Sequence, residues 1–192
     1  MVDTFKEELT ANNASYICSK WLFERTPFIF NGDRLEYIKF MESLALKLKV
    51  DSKSMILTGS SCCGFSLNPN KNFKLFDDNS DIDIAITSQF YFDIAWKTFR
   101  DLGTKRYSLN AKQKSSLDDH VNRLIYWGTI ATDKLLVILP FGKEWLIHLA
   151  ELEKSMPING RTINIRLYKD YDSLRAYHVQ NLDKMKIQLY SK

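Results

Sequence analysis

The apolar positions change period along the chain, and the changes mark the expected elements. Residues 3–25 read as helical, with Ile17, Trp21 and Leu22 on one stripe, and Pro27 ends that pattern. Asn31-Gly32-Asp33 supplies a turn and an N-cap, after which Leu35, Ile38, Met41, Ala45 and Leu48 recur at helical spacing over 33–49. Ser54 to Thr58 is short and apolar, as expected of a buried strand, and Ser60 opens a helix or a tight turn. Residues 67–80, LNPNKNFKLFDDNS, are polar and broken by Pro and Asn, as expected of a loop. From Ser80 to Thr87 the period becomes two: Ile82, Ile84 and Ile86 take one face, and Asp81, Asp83 and Ala85 the other.

The second half alternates in the same way. Ser88 is placed to cap a helix carrying Phe92, Ala95, Trp96 and Phe99 and ending near Gly103. Helices are expected over 111–127, over 143–154 and from about Asp172 to Leu189. Lys134 to Leu139 fits helix or strand equally. Pro157 to Gly160 is a turn, and Thr162 to Tyr168 sets Ile163, Ile165 and Leu167 against Asn164 and Arg166 as a strand. The expected fold class is therefore α/β, or α+β in strict terms: a small mixed sheet flanked by helices.

Composition adds limits. At 192 residues and 45% hydrophobic, the chain can bury a core without disulfide or metal staples. Its formal charge of +4 comes from basic residues dispersed along the chain, not from the concentrated patch of a dedicated nucleic-acid binder. The cysteines, Cys18, Cys62 and Cys63, form neither a disulfide framework nor a zinc spacing. Cys62 and Cys63 read as small packed residues at a turn. With no signal sequence and no membrane-length apolar run, a cytoplasmic protein with no membrane partner is expected.

Residues 57–86 carry the candidate chemistry. Period two puts the Asp81 and Asp83 carboxylates side by side, where like charges repel and resist burial. A hard divalent cation relieves both effects, and magnesium is commonly held by one or two carboxylates together with substrate phosphates. Upstream, Gly59 and Ser60 form a small-residue turn whose backbone N–H groups and hydroxyl leave room for a phosphate. Other readings of the stretch fail. Asp77-x-Asn79-x-Asp81 begins like an EF-hand, but Ile82 and Ser88 stand where that loop needs Gly and Glu. No Lys-Ser or Lys-Thr follows Gly64 as in a P-loop, and Ser60 lacks the G-x-S-x-G elbow.

Gly59-Ser60 followed by a strand bearing Asp81-Ile82-Asp83 resembles the signature of the polymerase-beta-type nucleotidyltransferase superfamily, over residues 55–87. The resemblance implies one nucleotidyltransferase-like domain over 1–192, with helical additions at about 1–50 and about 170–192. It implies that Gly59, Ser60 and Ser61 hold a nucleoside triphosphate such as ATP, and that Asp81 and Asp83 are catalytic ligands of Mg2+ or Mn2+. The activity would be transfer of a nucleoside monophosphate to a hydroxyl acceptor on RNA, a protein or a small molecule. By analogy the context would be a compact enzyme of a bacterial toxin–antitoxin or antiviral defence system.

Two departures from that signature stand out. The interval from Gly59 to Asp81 is long, which implies an insertion between turn and strand. The late strand offers Asn164 and Arg166 where a third carboxylate is expected, leaving Asp133, Asp170 and Asp172 as substitutes and Arg166 as a phosphate contact. The rival expectation is an inactive module of the same fold that binds a nucleotide or a partner protein. Arg123 and Lys134 are further phosphate candidates; His120, after Asp118-Asp119, reads as surface or helix capping, and His148 and His178, on amphipathic helices, read as structural.

Overall fold

Four strands form one mixed sheet in the computed structural model, which describes residues 1–191. They are β1 (Met55–Thr58), β2 (Ile82–Thr87), β3 (Thr129–Ala131) and β4 (Ile163–Tyr168), in the order β1-β2-β4-β3. β1 runs antiparallel to β2, β2 parallel to β4, and β3 antiparallel to β4. The helices are α1 (Val2–Ala11), α2 (Ala14–Cys18), α3 (Arg34–Leu48), α4 (Gly59–Cys63), α5 (Gln89–Arg100), α6 (Ala111–Asp119), α7 (Gly142–Leu152) and α8 (Tyr171–Tyr190). The fold is thus α+β, with helices around a small mixed sheet. No helix among the described residues is long and apolar enough to cross a membrane.

Local sequence fixes most helix starts. The side chains of Asp33, Ser88 and Asp170 accept backbone N–H bonds from Glu36, Tyr91 and Ser173, capping α3, α5 and α8. Asn110 and Gln113 close a capping box at α6. Ile82, Ile84 and Ile86 of β2 and Ile163, Ile165 and Leu167 of β4 turn to one side of the sheet. There they join a core that includes Leu44 and Leu48 of α3, Ala95 and Phe99 of α5 and Trp145 of α7. The opposite side carries a smaller cluster, Ala85, Tyr168 and Leu174, against which Phe23, Ile56 and Tyr177 pack.

Three local expectations are corrected. Met41, Ala45 and Leu48 of the expected stripe are buried, but Leu35 and Ile38 are exposed, because α3 completes its buried face with Phe40 and Leu44. The helix expected to 127 leaves α-geometry after Asp119, passing through a π-turn (His120–Leu124) and a 3-10 turn (Ile125–Trp127). Residues 134–139 are neither helix nor strand of any length, but a turn and one 3-10 segment (Leu136–Ile138). The strand on that side is β3, just before them.

Candidate functional site

β1 delivers the chain into Gly59, whose φ of +63° is left-handed. The sheet register pairs Thr58 with Asp83, so the turn leaves β1 directly beside that aspartate. A Cβ built on Gly59 would stand 2.6 Å from Asp83 Oδ2, closer than nonbonded atoms approach. Glycine is therefore required twice, for its backbone angle and for the carboxylate lying over it.

The neighbouring strands extend this floor. Parallel pairing sets Asn164 beside Asp83 and Arg166 beside Ala85. β3 sets Ala131 beside Arg166, and the chain then runs on to Asp133. Gly59, Ser60, Asp81, Asp83, Asp133, Asn164 and Arg166 all line one cleft of about 890 Å³. Segment 64–81, the long interval between turn and strand, forms one wall and contributes Lys71 and Lys74. It is pinned by the rings of Phe65 and Phe73, whose centroids lie 5.0 and 6.1 Å from that of Phe5. The facing wall is α8, which turns Tyr177, Asn181, Lys184 and Gln188 to the cleft. Their spacing of four, three and four residues is that of one helix face.

The electrostatics follow from this crowding. The surrounding protein strips water from Asp83 and pushes its carboxyl up; Arg166 and Lys71 pull it back, while Asp81 and Asp133 add to the rise. Burial works against the Arg166 cation, but the Tyr168 and Tyr177 hydroxyls and the Asp83 and Asp133 carboxylates favour it more, so its value lies above the ordinary one. His178 is pushed down to about 3 by burial and then by Arg166, so its imidazole is neutral at pH 7. Its Nε2 lies 3.4 Å from the Tyr168 hydroxyl.

Asp81, Asp83, Gly59, Ser60 and Arg166 thus meet in one cleft. Ser61 does not join them: it is fully buried, and its hydroxyl donates to the Thr58 carbonyl at 3.0 Å. The alternatives for a third carboxylate also separate. Asp133 lines the cleft. Asp170 caps α8 by accepting the Ser173 N–H at 2.7 Å, and Asp172 follows in the first helical turn; neither lines the cleft. Arg123 reaches the rim already held by Asp119, with contacts of 3.0 and 2.8 Å, and Lys134 lies off it. Lys71, Tyr177, Asn181 and Lys184 were not foreseen. The polar stripe on α8 was readable as a spacing, but nothing in the sequence said that it faces a cleft.

The donor set suits a hard divalent cation in part. Asp81, just before β2, and Asp83, within it, both line the cleft, and the raised Asp83 is the acid that a cation would relieve. Among the described residues, however, no three His, Cys, Asp or Glu side chains are grouped closely enough to hold one metal ion. Water and phosphate oxygens would have to complete the shell. Comparison of the chain with protein-family models, with curated proteins and with solved structures finds no match.

Proposed function

We propose that this cleft transfers a nucleoside monophosphate from a nucleoside triphosphate to a hydroxyl acceptor, as the resemblance to polymerase-beta-type nucleotidyltransferases implies. The supporting observation is the seating of the Asp83 carboxylate over the Gly59 turn, 2.6 Å from where a Cβ would be. That closeness puts the carboxylate pair and the phosphate-sized turn within one ligand's reach. In this reading Gly59 and Ser60 receive the triphosphate tail, and Lys71 and Lys74 neutralise its outer charge. Asp81 and Asp83 hold Mg2+ or Mn2+, which when bound offsets charge on the phosphates and on departing pyrophosphate. The acceptor oxygen bonds to the α-phosphorus as the bond to the α,β-bridging oxygen breaks, and pyrophosphate leaves. Asp133, across Asn164 from Asp83, is the carboxylate available for the acceptor's proton.

The test is incubation with α-labelled triphosphate and magnesium, reading pyrophosphate release and label transfer. Asp81→Ala and Asp83→Ala are each expected to lower release by about a hundredfold or more. Release that both variants retain at the wild-type rate refutes the assignment. The missing three-carboxylate grouping favours a second reading, a module that binds nucleotide, or a partner through it, without turnover. Saturable binding of magnesium triphosphate with no pyrophosphate release is its signature.

A further inference from the structure

Arg166 is the least satisfied charge in the cleft. Its guanidinium stacks on Tyr177, 5.1 Å from the ring centroid, and its Nη1 is buried with no hydrogen-bond partner among the described residues. Leaving a buried guanidinium donor without a partner costs free energy, even where nearby carboxylates favour the charge itself. An anion entering the cleft would repay it, and a guanidinium fork matches phosphate oxygens in particular.

Arg166, stacked on Tyr177 of α8, and the Gly59 turn stand at different places on the cleft floor. Thr58, Asp83 and Asn164 lie in register across three strands, and Arg166 is two residues further along β4. Strand geometry then separates the Thr58 and Arg166 backbones by about 10 Å across the sheet and about 7 Å along it. The carboxylates Asp81 and Asp83 lie on the Gly59 side of this gap. Beyond Arg166, the wall continues along α8 through Asn181 to Lys184, which is two helical turns, or about 10 Å, from Tyr177. A volume of about 890 Å³ is near the top of the range for small-molecule sites, leaving room for more than one nucleotide.

We propose that Arg166 is a second anion subsite, which seats a phosphate of the hydroxyl acceptor, with Lys184 placed for the next phosphate along a strand. The acceptor is then a nucleotide, free or within an RNA strand, and not a protein hydroxyl or an uncharged small molecule. The word acceptor rests on the transferase reading; the anion subsite does not.

The first titrations therefore omit both triphosphate and metal, which are added only in a final competition. Wild-type protein is titrated with a 5′-phosphorylated ribotetranucleotide, with adenosine monophosphate and with adenosine, following heat by calorimetry. The phosphorylated probes bind and adenosine does not. Arg166→Gln weakens their binding about tenfold or more, and Arg166→Lys, which keeps the charge but loses the fork, also weakens it. A non-hydrolysable triphosphate added with magnesium leaves the tetranucleotide bound. Tighter binding of the tetranucleotide than of the monophosphate assigns a strand; equal binding assigns a free nucleotide. The proposal is overturned if wild type binds neither phosphorylated probe, if adenosine binds as well, if both Arg166 variants bind like wild type, or if triphosphate displaces the probe. Both variants are first checked for an unchanged melting curve, and if Gln does not fold, Lys decides. A chain that releases no pyrophosphate can still pass this test, and a transferase with an uncharged acceptor fails it.

Discussion

Asp83 is open to the cleft, yet the protein around it removes enough water to disfavour its ionised form. The sign of its linkage follows. Its native value is raised, so the native state binds more protons than the unfolded chain between the ordinary carboxylate value and the raised one. Wild-type stability therefore falls as pH rises through that window and is level above it. Asp83→Asn removes the charge and the fall. Urea midpoints of variant and wild type should diverge in the variant's favour over the range that starts at the ordinary carboxylate value, about pH 4, and runs upward. A constant difference across that range would sink the prediction. A variant that is more stable and inactive is the pattern expected of a group kept for chemistry. The sequence made this part of the site legible, because strand period alone puts Asp81 and Asp83 on one face. It misled at Ser61, because α4 rotates each successive residue by about 100° and carries that hydroxyl inward. It was silent on Lys71 and Lys184, whose place in the cleft depends on how a loop and a distant helix pack.

Between elements, His120 is the tie that periodicity could not show. It reads from sequence as surface or capping, yet it is buried. Its Nε2 accepts the Ala131 N–H at 3.0 Å, which leaves the proton on Nδ1 to be donated to the Ser116 carbonyl. One ring thus fastens α6 to β3. Burial lowers its value, so the stability it supports is complete above the ordinary histidine range. That stability is lost as pH falls from about 6.5 toward the depressed native value. His120→Ala should cost about 1–3 kcal/mol, chiefly by leaving the half-buried Ala131 N–H without its partner, since the Ser116 carbonyl still accepts the backbone N–H of residue 120. It should also speed hydrogen exchange at the Ala131 amide. Unchanged exchange there would show that β3 is held by its pairing to β4 alone. β3 itself was illegible because three residues, Thr129–Ala131, are too few to display a period. β2 and β4, with six residues each and strict alternation, were legible almost to their ends. On α3 the pattern had more apolar positions than one face needs, and only packing chose which stripe to bury.

At the scale of the molecule, the N-terminal helix supports the cleft from behind. Phe5 is fully buried, and its ring centroid lies 5.1 Å from that of Trp21 and 5.0 Å from that of Phe65. Through Phe65 and Phe73 it braces the segment that presents Lys71. Phe5→Ala should cost about 3–5 kcal/mol. Its distinguishing sign is local: limited proteolysis should cut first within 66–80, and triphosphate affinity should fall at temperatures where the variant remains folded. Digestion that begins elsewhere would mean the segment is braced by α8 instead. Lys186 and Tyr190 of α8 also donate to the carbonyls of Asn12 and Thr10, at 2.8 and 3.0 Å, so both ends of the chain hold the walls.

The strand order has a consequence for synthesis. β4 lies between β2 and β3, and both of those neighbours leave the ribosome before it. A nascent chain that has emerged only as far as β3 carries two unpaired edges flanking an empty slot, each able to recruit a strand from another chain. Inserting Ile163–Tyr168 closes that slot, and it brings Asn164 and Arg166 in with it. Protection from misassembly and completion of the cleft floor are therefore the same event, and an unfinished chain can have neither.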